Sequence, residues 1–465
     1  MSTSDNFSPV PAPPRAAATA FKPVSEASFV LLLLLPFWVD TGAMLLYLAT
    51  GSAGVYSIAV QVQDLIALAG LCLGARRGIR LLLDAYGGWI VAPALLYAIA
   101  LGTTVLSGSG NHEFILAAMR YTVWVIFVTA ALSHPRRSVP STGASSTFDS
   151  ALGALALVLA ALSVVQLLLS EVLAGPLQTL HEGFTPAEKT NAVLTSISLG
   201  KSFASLTLRN PIELSYVGLL ILCHALPRRA NFLTIAAAWL IILCGRSNTT
   251  LLASLAIALV HSLQGSDWLR RWRWPIAGIL VSVSVVFLWF LPEIYVGPGS
   301  NWDDLIVVLS YQRLGMLLAL PELLSEGGSR LLIGGMPTPL IDLVETLYNA
   351  GLLPELFADG GAIAVFDIMW FGFMLVGGLP FVLGGAVMVG LGLRSPKGAR
   401  GTPEAASLRL YAVGLVIISF SSQILLSRYG LFFFCYFLAD AAVRHWHRSS
   451  NPVPTSSNQS SPALQ

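Results

Sequence analysis

From Ile368 to Leu393 the chain runs without one charged residue. A helix of that length exceeds the roughly 20 apolar residues that cross the hydrocarbon core of a bilayer. Comparable runs recur along the sequence, and they are continuous, unlike the alternating ten-residue segments of a β-barrel. Hydrophobic residues make up 55% of the 465 and charged residues 11%, with a mean hydropathy of +0.74. One soluble core cannot hide that much apolar surface. The expected fold class is all-α: a polytopic helical membrane protein, in which each helix satisfies its own backbone polar groups. The net charge of +2 argues against a nucleic-acid partner.

Spans are expected near 28–48, 54–75, 87–106, 114–133, 151–169, 212–226, 231–245, 249–264, 275–292, 368–393, 406–427 and 429–444. That is about 12 transmembrane helices, with both termini on one side. Residues 1–26 and 449–465 read as disordered cytoplasmic tails, rich in Pro, Ala and Ser. The bundle is expected over 27–448, with two long periplasmic loops at 170–211 and 293–367. Cys72, Cys223, Cys244 and Cys435 lie in or beside apolar runs without metal spacing and read as small packing residues.

Basic residues fix the orientation. Of 26 Lys and Arg, seven fall on one face: Lys189, Lys201, Arg209, Arg246, Arg313, Arg330 and Arg428. Arg120 lies inside a span, and the remainder share the other face, which is therefore cytoplasmic. The clusters Arg228–Arg229 and Arg270–Arg273 both reach that face only if the run between them crosses twice. So "GRSNTT", residues 245–250, is expected at the tip of a hairpin, and Arg246 avoids the bilayer centre.

The outward-facing minority of arginines suggests a site. Arginine binds phosphate bidentately and stays charged at every relevant pH. Arg209, Arg246, Arg313 and Arg428 each stand near an expected helix end on the periplasmic face. Converging, they would bind a lipid-linked diphosphate; separately, they are interfacial arginines. Arg120 either pairs with Asp40 or Asp64 inside the bundle or lines the path of a carrier phosphate. Asp303–Asp304 follows "GSNW", which favours a helix cap.

Across residues 200–440 the chain resembles the Wzy-type polysaccharide polymerases and O-antigen ligases. "RNPIELSYVGLLIL" resembles the Asn-Pro segment that opens a span after an outer loop. "LIILCGRSNTTLLASLAIALV" is similar to the arginine-bearing hairpin, and "YQRLGMLLALPELLSEGGSRLLIGGM" to the long-loop pattern of arginine, apolar helix and Gly-rich turn. No histidine lies between Glu293 and Ile368. The ligase chemistry assigned to a histidine there has no counterpart, which favours polymerase over ligase.

The resemblance implies a GT-C-like glycosyltransferase architecture in the bacterial inner membrane. It implies an activity that joins undecaprenyl-diphosphate-linked repeat units into an exopolysaccharide or O-antigen chain. A hydroxyl of one unit attacks the anomeric carbon of the other, and the diphosphate leaves. Fixed cations must wait where that charge grows, and a carboxylate must take the hydroxyl proton. Arg246, Arg313, Arg428 and Arg209 are the expected diphosphate ligands. Asp359, Glu355 and Glu213 are the candidate bases, and His181, Arg120 and Asn349 the candidate substrate contacts. No cofactor and no required metal are expected. Membrane lipids, a chain-length regulator and a flippase are the candidate partners. The rival readings are ligase-type transfer to another acceptor, a 12-helix secondary transporter and a scaffold of a secretion complex.

Overall fold

The computed structural model describes residues 75–108, 112–133, 147–169, 211–265 except Arg246, 369–394, 396, 401–420 and 424–450. Short pieces at 299–303 and 332–333 and scattered positions between 34 and 69 complete it. All regular structure among the described residues is helical. In chain order the helices are α1 Ala75–Ile90, whose last turn Gly87–Ile90 is a tighter 3-10 turn, α2 Ala92–Ser107, α3 His112–Leu132 and α4 Thr147–Leu168. Next come α5 Pro211–Arg228, α6 Phe232–Cys244, α7 Asn248–Gly265, α8 Met369–Leu393, α9 Pro403–Ser419 and α10 Arg428–Ser450.

Among the described residues, Phe114–Leu132 of α3, Asp149–Gln166 of α4 and all of α8 are long and apolar enough to cross a membrane. The pair α1–α2, bent by 60° at its junction, adds a fourth if taken as one broken span. The two long loops, 170–211 and 293–367, lie almost wholly outside the described residues, as do both tails and the expected span at 275–292. Asn301 falls within them, and its side chain accepts from the Asp303 backbone N–H at 2.8 Å, the cap that "GSNW" suggested.

Two expected boundaries are corrected. Arg76, Arg77 and Arg80 belong to α1 and not to a loop. Gly78, Leu81, Leu82, Tyr86 and Ile90 are buried, a stripe at helical spacing that docks α1 on the bundle despite its arginines. A Cβ at Gly78 would come 2.6 Å from the Ile126 carbonyl oxygen, so only glycine lets α1 lie this close to α3. The expected span at 406–427 is shorter than its apolar content suggested. Helix α9 ends at Ser419, and the polar residues Ser421, Ser422 and Gln423 follow in sequence before α10 begins.

Helix α10 is the axis of the packing. It contacts α3, α5, α8 and α9. Tyr429, the run from Leu431 to Ala439, and Ala441 to Val443 are all buried, as expected of a helix apolar on every side. Phe37 packs its ring 5.0 Å from Tyr429 and 5.4 Å from Phe433. Buried tyrosines close the remaining gaps with their hydroxyls satisfied. Tyr86 donates to the Leu438 carbonyl at 3.0 Å, and Tyr411 donates to the Gly430 carbonyl at 2.7 Å.

Helix α8 is broken at Gly378, whose φ of 66° and ψ of −163° are not helical. Pro380 follows and has no N–H for the Val376 carbonyl four residues back. The Thr104 hydroxyl of α2 donates to that carbonyl at 3.3 Å instead. Such side-chain substitution is how a helix breaks in an apolar setting without orphaning its backbone.

Helices α5 and α6 form a tight antiparallel pair. Arg229 takes the left-handed conformation (φ 51°), with Ala230 N–H to the Ala225 carbonyl and Arg229 N–H to the Leu226 carbonyl. This is the Schellman arrangement. Asn231 then caps α6, accepting from Leu233 N–H at 3.3 Å. Gly218 lets the helices approach, since a Cβ there would meet the Ala238 carbonyl oxygen at 2.9 Å. After Cys244 the chain turns through Gly245–Ser247 into α7, the hairpin expected at "GRSNTT". Its two arms straddle α5: α6 packs on α5 and α4, α7 on α9 and α5.

Candidate functional site

Two polar clusters stand at opposite ends of the bundle. The first starts from α5, α7 and α10, whose N-termini share one end. Each N-terminus carries free backbone N–H groups and the positive pole of its helix dipole. Ser247 caps α7: its Oγ accepts from Thr250 N–H at 3.3 Å and from the Thr250 hydroxyl at 2.9 Å. Ser427 caps α10 in the same way, accepting from Gly430 N–H at 3.4 Å. The Ser427 hydroxyl also lies 3.5 Å from Glu213 Oε1, which joins the first turn of α5 to that of α10.

Each of these helix starts carries one of the expected diphosphate ligands. Arg246 immediately precedes the cap Ser247, Arg428 immediately follows the cap Ser427, and Arg209 stands two residues before Pro211. Arg246, Arg209 and the Arg428 side chain lie outside the described residues. Glu213, one of the candidate bases, is partly buried within the group. Two residues on, Ser215 is fully buried, and its hydroxyl has no partner among the described residues. Arg313, Asp359, Glu355, His181 and Asn349 lie outside the described residues. Arg120 is partly buried in α3, while Asp40 and Asp64, its expected alternatives for pairing, lie outside.

The second cluster was not anticipated. Arg228, at the last turn of α5, donates to Asp440 Oδ2 of α10 at 2.5 Å, to Ser407 Oγ of α9 at 2.7 Å and to the His224 carbonyl at 3.2 Å. One turn earlier, His224 Nε2 lies 2.7 Å from Asp149 Oδ1 at the start of α4. Side-chain exposure is 15% for Arg228 and 16% for Asp440, so water screens the pair poorly. Glu404 lies close enough to act electrostatically on both His224 and Arg228. Four helices thus meet at one end through three carboxylates, a guanidinium and an imidazole. The sequence held a signal in the spacing: His224 and Arg228 are four apart, as are Asp440 and Arg444, which places each pair on one helix face. Arg228 counted only towards the charge bias of its loop, and the buried partners went unseen.

Comparison of the chain with protein-family models, curated proteins and solved structures returns no match.

Proposed function

We propose that the chain is an inner-membrane polysaccharide polymerase of about 12 spans and GT-C-like architecture, acting on undecaprenyl-diphosphate-linked repeat units. In this reading the Arg228 end faces the cytoplasm and the Glu213 end faces the periplasm. The observation that carries it is the grouping of three helix N-termini, two with serine caps, each beside an arginine. Helix dipole, free N–H groups and guanidinium act in the same sense on an anion. A diphosphate leaving group gains negative charge as the glycosidic bond breaks, so cations fixed beforehand lower that barrier most. Glu213, in the first turn of α5 and held near Ser427, is the first candidate to accept the acceptor hydroxyl's proton.

The test is deletion followed by glycolipid analysis, then complementation with Arg246→Ala and Arg428→Ala. Loss of the chain should leave single repeat units on the carrier. Each substitution should cut polymer yield by about 10²-fold or more while membrane insertion stays normal. Full-length polymer from both variants would remove the site assignment.

The second cluster favours a rival, a proton-coupled secondary transporter. Linked Asp, His and Arg groups inside a bundle are the parts of proton relays. Under that reading, deletion abolishes solute uptake and leaves polysaccharide unchanged.

A further inference from the structure

Helix α1 carries charges that neither cluster uses. Arg76, Ile79, Arg80, Leu83 and Asp84 line an open recess of 420 Å³. Arg76, Arg80 and Asp84 follow one another at four-residue steps, with Ile79 and Leu83 in the adjoining row. Ile79 and Leu83 are each 40% exposed, and Trp89 farther along is 56% exposed. Arg76, Arg80 and Asp84 form no ion pair or hydrogen bond among the described residues. Arg77 differs: its guanidinium sits 5.9 Å over the Trp446 ring and pins the start of α1 to the end of α10. The recess therefore sits at the same end of the bundle as Arg228.

A row of two cations and one anion beside apolar side chains has a matching ligand. A phosphodiester fits between two guanidinium groups one turn apart. One turn further, a rise of about 5.4 Å, Asp84 offers a carboxylate within reach of a two-carbon amine arm on that phosphate. Ile79 and Leu83 supply the apolar surface on which acyl chains and their glycerol ester region rest.

We propose that α1 binds a phospholipid whose headgroup carries a primary amine, of the phosphatidylethanolamine class. Its phosphate lies on Arg76 and Arg80 and its ammonium on Asp84. The site depends on the membrane reading and is independent of the polymerase reading.

The experiment uses the full chain, delipidated in neutral detergent, with native mass spectrometry and thermal unfolding as readouts. Phosphatidylethanolamine, phosphatidylcholine, phosphatidylglycerol and inorganic phosphate are added in parallel. Phosphatidylethanolamine should be retained preferentially and raise the unfolding temperature, because choline's methyl groups block hydrogen bonds to Asp84. Arg76→Gln/Arg80→Gln should weaken its binding on the order of 30-fold. Asp84→Asn should lower the preference for ethanolamine over glycerol headgroups by about fivefold. Equal retention of ethanolamine and choline lipids, or preference for phosphatidylglycerol, overturns the proposal on the unaltered protein alone. Variants that bind as the parent does, or inorganic phosphate giving the same stabilisation, overturn it as well.

Discussion

Arg228 is where a single side chain has the largest consequence. It is held by Asp440, Ser407 and the His224 carbonyl from three helices, α5, α9 and α10, and is largely out of water. Removing one partner of such a pair leaves the other charge buried and alone, at a cost of about 3–5 kcal/mol. Arg228→Met should therefore destabilise the protein by about 3 kcal/mol, and Asp440→Leu by a similar amount. The double variant should recover most of the loss, since a well-packed apolar pair avoids both desolvation costs. Unfolding titrations of the four proteins in denaturing detergent form the cycle that checks this. If both singles and the double fall equally, Arg228 holds the bundle by packing and not by charge. This residue also marks the limit of sequence reading. Its charge was visible, but an arginine in a turn and one clamped between helices look alike until the partners from 407 and 440 are brought beside it. Glu213 and Ser427, 214 positions apart, are hidden for the same reason.

At the level of elements, the long apolar runs were legible because hydropathy and length alone decide them. Helices α3, α4 and α8 match spans expected at 114–133, 151–169 and 368–393, and one helix ends at Cys244 and the next begins at Asn248, around the "GRSNTT" segment. What escaped was shape within a run. The break in α8 comes from Gly378 and Pro380 together, and tolerance of it depends on Thr104, a residue of another helix. Thr104→Val keeps the volume and removes the donor, leaving the Val376 carbonyl unsupported from that side. A loss of about 1 kcal/mol is expected, whereas Thr104→Ser should stay close to the parent. Detergent-induced unfolding of the two variants measures the difference, and equal stability would show that the carbonyl is satisfied otherwise. Helix α1 escaped for the opposite reason: three arginines in five residues disguise a buried stripe that begins at Gly78.

Over the whole molecule, the ion-pair cluster and the Arg77–Trp446 contact gather at one end, and the serine caps Ser247 and Ser427 gather at the other. The orientation from basic residues then makes a definite prediction. Because Cys223, Cys244 and Cys435 are buried, single cysteines can be read against a quiet background once Cys72 is replaced by serine. Arg394→Cys should react with a membrane-impermeant maleimide only after the cytoplasmic side is opened, and Ser107→Cys should react in intact spheroplasts. The reverse pattern would invert the bundle and move the arginine-bearing helix starts to the cytoplasm.

The arm α6 has one more consequence. Its 13 residues rise about 20 Å, roughly 10 Å less than the thickness of a bilayer's hydrocarbon layer. Under the proposed membrane reading, a helix this short reaches both faces only where the bilayer thins by that amount.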